Sequence, residues 1–443
     1  MDAETIARLR PMLSSYLREF DDCFIRREQP RHLRRLVAGQ VSDLQRKSLE
    51  PIALASGTRP RTLQQFLSGH GWDDEQMRDR LQRIVAREHT HPCSIGIFDE
   101  TPHVKKGDRT PGVQRQWCAV RGTTDNCTIT VHLGYAAGDF HCLIDGELYL
   151  PESWDKDRDR CRAAGIPDAV VYRPKTRIAL DMHARAMANG VRLEWVTFDE
   201  GYGKDPTFLH ALDDRGQRYV GEVFPPFTGW IKPPPVMLKE HPCHSHKTVH
   251  GEPIGRPRNF PRVKVLPGAM HKAKSVENLA RYSSAFQRQE WQTFHIKDTT
   301  KGPVVWMVKS APFHLKRDGV PTWEHWLIVC RNPLTDEMKY FVSNAPPGTP
   351  LEALLHVAFQ RWHVERCFED EKSELGLSHF EVRTYRSLIR HVRITAVSHL
   401  FLAKAHQQLG QERGEQQAPD RLPGPDGGQR ADQGVAAARP GAS

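Results

Sequence analysis

The sequence predicts an α/β protein in which a mixed-sheet core is interrupted by a β-rich insertion and preceded by an α-helical N-terminal domain. Three observations carry this. Apolar residues recur at steps of three and four through residues 1–90, short apolar runs alternate with helical stretches between Cys93 and Val223, and strand-like runs dominate from Trp291 to Ser343.

Composition bounds the class. A chain of 443 residues is long enough for about two to four domains. Its 38% hydrophobic and 26% charged residues are ordinary for a globular protein. A formal charge of +9 favours a polyanionic partner, since each phosphate neutralised by Lys or Arg releases counterions. Nine cysteines without a Cys-x-x-Cys pair argue against a disulfide framework and for a reducing compartment. Met1-Asp2-Ala3-Glu4 opens no basic-then-apolar leader, and no apolar run approaches the ~18 residues of a membrane span. The expectation is a cytoplasmic protein that is neither secreted nor membrane-spanning.

Residues 1–90 read as helices over 4–24, 32–49, 62–68 and 74–86. Ile6, Leu9, Leu13, Tyr16, Leu17 and Phe20 form one apolar stripe, which is core. Between Gly57 and Trp72 a turn carrying Arg59 and Arg61 opens a short helix and leads to another. A DNA-binding helix-turn-helix has this pattern, and so does a small helical bundle.

Residues 91–223 form the first part of the core. Strands over 94–98, 116–120 and 127–133 suggest an antiparallel opening. A helix over 175–189, stopped by Gly190, a strand over 191–198, a helix over 205–215 and a strand over 218–223 follow. Pro225 to Pro235 can continue neither a helix nor a central strand, so residues 224–346 are taken as a β-rich insertion. Its Lys239, Lys247, Arg256, Arg258, Arg262, Lys264, Lys272 and Lys274 suit either a phosphate-facing surface or a solvated loop. His241, Cys243, His244, His246 and His250 are zinc-ligand types, but a closed site needs four ligands on a pinned loop. A polar exposed loop is the reading preferred there.

Residues 347–408 return to the core with one helix over 351–373 and another over 385–407, whose Arg386, Arg390 and Arg393 are available for DNA. Residues 409–443 hold almost no large apolar side chain and cannot offset their ordering entropy, so a disordered tail is expected.

The chemistry lies in the acids. The apolar run at Ile95 ends in Asp99, and the run at Leu193 ends in Asp199. Strand ends of this kind open onto the crevice where α/β sheets place ligands, and hard divalent cations such as Mg²⁺ take a few carboxylates plus water. Glu100 and Glu200 are rival ligands, but neighbours on a strand face opposite ways, so each pair offers one ligand at most. On the helix over 361–372, Arg361, Glu365 and Lys372 project from one side over about three turns. Alone, Arg361 and Glu365 would be an ordinary surface ion pair.

Phe98-Asp99-Glu100-Thr101 with Lys105-Lys106-Gly107 behind it, Asp199-Glu200-Gly201-Tyr202-Gly203, and Arg361, Glu365 and Lys372, in this order and spacing, resemble the DDE transposases of bacterial insertion sequences, of the 701 type. The likeness runs from about Leu44 to about Arg393 and takes in 113–118, 125–127, 148–154 and 376–383. Ala358 departs from it, standing where the wider branch has a tyrosine. The resemblance implies an RNase H-like core with Asp99, Asp199 and Glu365 as metal ligands for two Mg²⁺ ions ~3.5–4 Å apart, for which Mn²⁺ substitutes. Arg361 and Lys372 would position phosphates. It further implies cleavage and strand transfer at element ends, with double-stranded DNA of terminal repeats and target as partners. A homodimer on paired ends, a place on nucleoid DNA and end recognition by residues 1–90 complete the expectation. Two other readings are a catalytically inactive DNA-binding descendant and an RNase H-like nuclease without strand transfer.

Overall fold

The computed structural model describes residues 3–240, 248–249, 252–253, 261–299 and 302–417. His241, Cys243, His244, His246 and His250, with Lys247, Arg256, Arg258 and the tail beyond 417, lie outside the described residues.

The core strands are β1 (Ile95–Val104), β2 (Gln114–Cys118), β3 (Thr123–Ala137), β4 (Phe140–Tyr149), β5 (Trp195–Phe198) and β6 (Tyr219–Val223). The long β3 is the spine. One edge pairs antiparallel with β1, from Ile95 opposite Ala136 to Val104 opposite Cys127, and the other edge pairs with β4 and then β2. On its far side β1 runs parallel to β5, and β5 parallel to β6. This is the mixed α/β sheet expected of an RNase H-like core. Strand β4 was not foreseen.

The insertion forms small two-stranded sheets, Val236–Lys239 with Arg262–Val265 and Thr228–Gly229 with Lys274–Ser275, but its longer strands join the core. Met338–Ser343 pairs antiparallel with β6, and Val320–Arg331, Gly302–Arg317 and Gln292–Thr299 follow in turn, making ten strands in one sheet among the described residues.

Strand β1 does not stop at Phe98. The polar stretch from Asp99 to His103 is carried in the ladder because β3 offers a partner at every step to Val104. Asp99 is therefore inside a strand, at the level where the shorter β5 ends. The expected helix over 351–373 is two helices, Leu351–Phe359 and Trp362–Ser373. At the break, Gln360, His363 and Val364 each donate to the carbonyl three residues back, at 3.2, 3.0 and 3.1 Å. The tightened turn lets both halves bury apolar residues on the same face of the sheet, Leu354 and Val357 from one and Val364 and Cys367 from the other.

Helices α1 (Ala3–Arg18), α2 (Gln29–Gln40), α3 (Leu49–Ala55), α4 (Pro60–Ser68) and α5 (Asp74–Glu88) pack around the last helix, Tyr385–Gln417. That helix runs beyond 408, so the first residues of the expected disordered tail are helical. Tyr16, Phe20, Phe66 and Leu81 share one hydrophobic cluster with Val397, Leu400 and Phe401. Polar contacts cross the same seam: the Tyr16 hydroxyl donates to the Val397 carbonyl at 2.9 Å, and Gln40 bonds Thr395 and Ser398 at 3.0 and 2.7 Å.

This packing overturns one expectation. Arg390 is 2% exposed and donates to the carbonyls of Leu67, His70 and Trp72 at 3.1, 2.8 and 2.8 Å, closing the C-terminal end of α4. Arg393 is ion-paired with Asp74 at the start of α5. Neither is available for DNA, because both are consumed in joining the last helix to the N-terminal helices. Arg386 is exposed.

Candidate active site

The parallel pairing of β1 with β5 places Phe98 opposite Phe198, so the residues that follow, Asp99 and Asp199, stand side by side on strands ~4.8 Å apart. Asp199 turns at once into a short helix, Glu200–Gly203, and caps it by accepting from the Gly201 amide at 2.9 Å. Only glycine serves at 203: a Cβ there would lie 1.9 Å from the Glu222 carbonyl oxygen of β6. The second glycine of Asp-Glu-Gly-Tyr-Gly thus lets the turn sit directly on the sheet, which fixes the capping aspartate.

Burial pushes the Asp99 carboxyl up to about 7, with repulsion from Asp199 and Glu100 adding to it and Arg361 opposing. Burial raises Asp199 as well, Glu100 adding and Arg361 opposing. Carboxylates this close do not ionise independently. Glu100 itself is ion-paired with Lys175, and Glu200 is exposed.

Arg361 joins the strands to the helix. Its Nη1 lies 3.1 Å from Asp99 Oδ2 and its Nη2 lies 2.7 Å from Glu365 Oε1. The two carboxylates are therefore separated by one guanidinium and two hydrogen-bond lengths. Burial works against the Arg361 charge, but Asp99, Glu365 and Asp199 hold its pKa above the usual arginine range. Glu365 has a side chain 55% exposed, its carboxylate held by Arg361. Lys372, two turns on, is half-buried; burial lowers its pKa, with Cys118 and Asp99 countering. The structure thus brings Asp99, Asp199, Arg361 and Glu365 together, with Lys372 within electrostatic reach of Asp99.

Two aspartates, a third acid on the neighbouring helix and no sulfur donor are the oxygen set that a hard divalent cation takes. Among the described residues no three His, Cys, Asp or Glu side chains stand close enough to grip an ion as they are. The Arg361 guanidinium lies between the aspartate pair and the glutamate, so Glu365 would have to release it to join them.

Carboxylates gathered at the ends of paired strands on a mixed sheet are a setting for metal-dependent phosphodiester chemistry, and comparison with known proteins names the family. Residues 19–303 match the model of the DDE superfamily endonucleases. Over 356 residues, 79% of this chain and 76% of the relative, the sequence is 32% identical to the probable transposase for insertion sequence element IS701 of Microchaete diplosiphon. The chain belongs to the DDE superfamily endonucleases, among the insertion-sequence transposases. Membership carries endonuclease chemistry, dependence on a divalent metal and binding to DNA. Among the described residues no helix is long and apolar enough to cross a membrane.

Sequence reasoning missed Lys175, which neutralises Glu100, and Glu222, which adds to the field on Arg361. Nothing local marks either, since both reach the site from elements that only the sheet brings near.

Proposed function

We propose that the protein is a transposase in which Asp99, Asp199 and Glu365 hold the divalent ions, Mg²⁺ in the first instance, for cleavage and strand transfer at the ends of its own insertion sequence. The observation that supports this most is the single guanidinium of Arg361 shared by Asp99 and Glu365 across 262 and 4 residues of sequence. Such a group holds the acids in register before the ions arrive and is then released toward a phosphate. Bound there, a pair of ions would activate the attacking water or 3′-hydroxyl and stabilise the leaving oxygen. The protein's share is to orient the DNA, with Arg361 and Lys372 neutralising charge at the reacting phosphate. Residues 1–90 are the proposed end-recognition module, through exposed Arg59 and Arg61 at the start of α4. A homodimer on paired ends follows from the need to join two ends of one element. Incubating the protein with duplexes bearing its element's ends and Mg²⁺, and sizing the products, tests the reading. Nicks at the ends followed by joined products are expected; absence of cleavage under Mg²⁺ and Mn²⁺ alike would overturn it.

A further inference from the structure

Past Asp99, β1 runs on for five residues to Val104 and Lys105 follows directly, a span from Asp99 of about 20 Å at ~3.3 Å per residue. There it delivers the chain into a cleft of about 630 Å³ between the loop after β1 and the 378–383 segment. Its walls are pinned. Asn126 Nδ2 donates to the Lys105 and Gly107 carbonyls at 2.7 and 3.0 Å, and Arg160 donates to the Asp108 carbonyl at 3.0 Å. Lys105 lies 3.4 Å from the centre of the Phe380 ring and donates to the Phe380 carbonyl at 2.8 Å, tying one wall to the other. On the third side the Lys47 amide donates to His379 Nδ1 at 3.1 Å.

These rigid walls present exposed Lys106, Arg109 and Arg383, none of which has an ion pair or hydrogen bond among the described residues. Arg46 on the rim is paired with Glu381, and Asp108 is the remaining acid. Three cations thus stand unpaired together on a prebuilt cleft. A pinned, positively charged concavity is the complement of a phosphodiester backbone, which takes its affinity from such contacts.

We infer that this cleft grips the DNA backbone away from the reacting phosphate, with Lys106, Arg109 and Arg383 as its phosphate contacts. The inference rests on the function proposed above for the acidic site. A span of about 20 Å corresponds to about six base pairs at 3.4 Å of rise, so the gripped phosphates lie about six base pairs from the cleavage site. Because the contacts are to phosphates, the grip is indifferent to sequence.

The test uses the full chain and a duplex carrying one element end. Binding is titrated between 50 and 200 mM salt for wild type, K106A, R109A, R383A and the triple variant, with melting temperature confirming that each is folded. Each lost contact should shrink the decline in affinity over that range about 3.5-fold, and the triple variant about 40-fold, because the salt slope falls by about 0.9 per phosphate. Single methylphosphonates placed along the duplex should weaken wild-type binding about six base pairs from the cut, and that penalty should vanish in the triple variant. An unchanged slope, or a penalty that survives in the triple variant, would overturn the inference. Wild-type cleavage under Mg²⁺ is run alongside: its failure with the slope change intact rejects the proposed function and keeps the cleft as a DNA site. Cleavage with an unchanged slope rejects the cleft alone.

Discussion

Arg361 Nη1 stands 3.1 Å from Asp99 Oδ2, and the same guanidinium reaches Glu365. An arginine that would, taken alone, be an ordinary surface partner of its helical neighbour is the link between the helix and the sheet. Replacing it by alanine leaves Asp99 and Glu365 with no cation in contact among the described residues. Cleavage should fall by about 10²–10³, the cost of removing one preorganised donor, while duplex affinity changes little. Arg361→Lys should recover only part, because an ammonium cannot bridge two carboxylates as a planar fork does. Single-turnover nicking beside gel shift measures both, and undiminished nicking by Arg361→Ala would remove the bridge from the mechanism.

Glu365→Gln and Asp199→Asn should each abolish Mg²⁺-dependent nicking and leave DNA binding largely intact, since backbone contacts come from cations and not from the acids. Chelation of divalent ions should do the same to the wild type. Binding that falls in step with nicking would show that Glu365 is structural.

Arg390 fills the end of α4 with its guanidinium, and Arg390→Ala strands the Trp72 and His70 carbonyls and uncovers Asp74. Removing one member of a buried charged network costs about 3–5 kcal/mol. Urea unfolding should show this loss, while the exposed Arg386→Ala should fall within about 0.5 kcal/mol of wild type.

A chain lacking residues 1–90 should not fold. The seam around Val397, Leu400 and Phe401 would be open to water, and Arg390 and Arg393 would lose their partners. Far-UV circular dichroism during heating should show no cooperative transition; a sharp one would mean that the remainder is autonomous. End recognition by α4 is better tested with Arg59→Ala and Arg61→Ala in the full chain.

Acid should destabilise the fold through its buried histidines, with the raised Asp99 and Asp199 carboxyls working the other way as the folded state takes up their protons. Burial holds His89 down to about 4, His132 to about 3 and His391 to about 4, against an unfolded value near 6.5. Above about 6.5 these rings are neutral in both states. As pH falls the unfolded chain takes up protons that the folded one refuses, so stability declines from about 6.5 down toward 4. Denaturant midpoints measured from pH 7.5 to 4.5 should fall across that window, and a flat profile would contradict the buried, neutral rings.

Local pattern determined much of this protein. The apolar runs ending at Asp99 and Asp199, the glycines after Asp199 and the helical stripe of α1 are properties of neighbouring residues, and each was legible because a strand face, a tight turn or a helix face is set within a few positions. The order of acids, with its likeness to DDE transposases, was enough to point to the family. Tertiary structure decided the rest. β1 runs through Asp99 because β3, some thirty residues on, supplies its ladder. The insertion's strands extend the core sheet because β6 presents an open edge to Met338–Ser343. Arg390 and Arg393 are buried while Lys106, Arg109 and Arg383 are not, though all five read alike in sequence. A charge's role depends on what lies across from it, and that partner is chosen by packing among segments hundreds of residues apart, which no local pattern records.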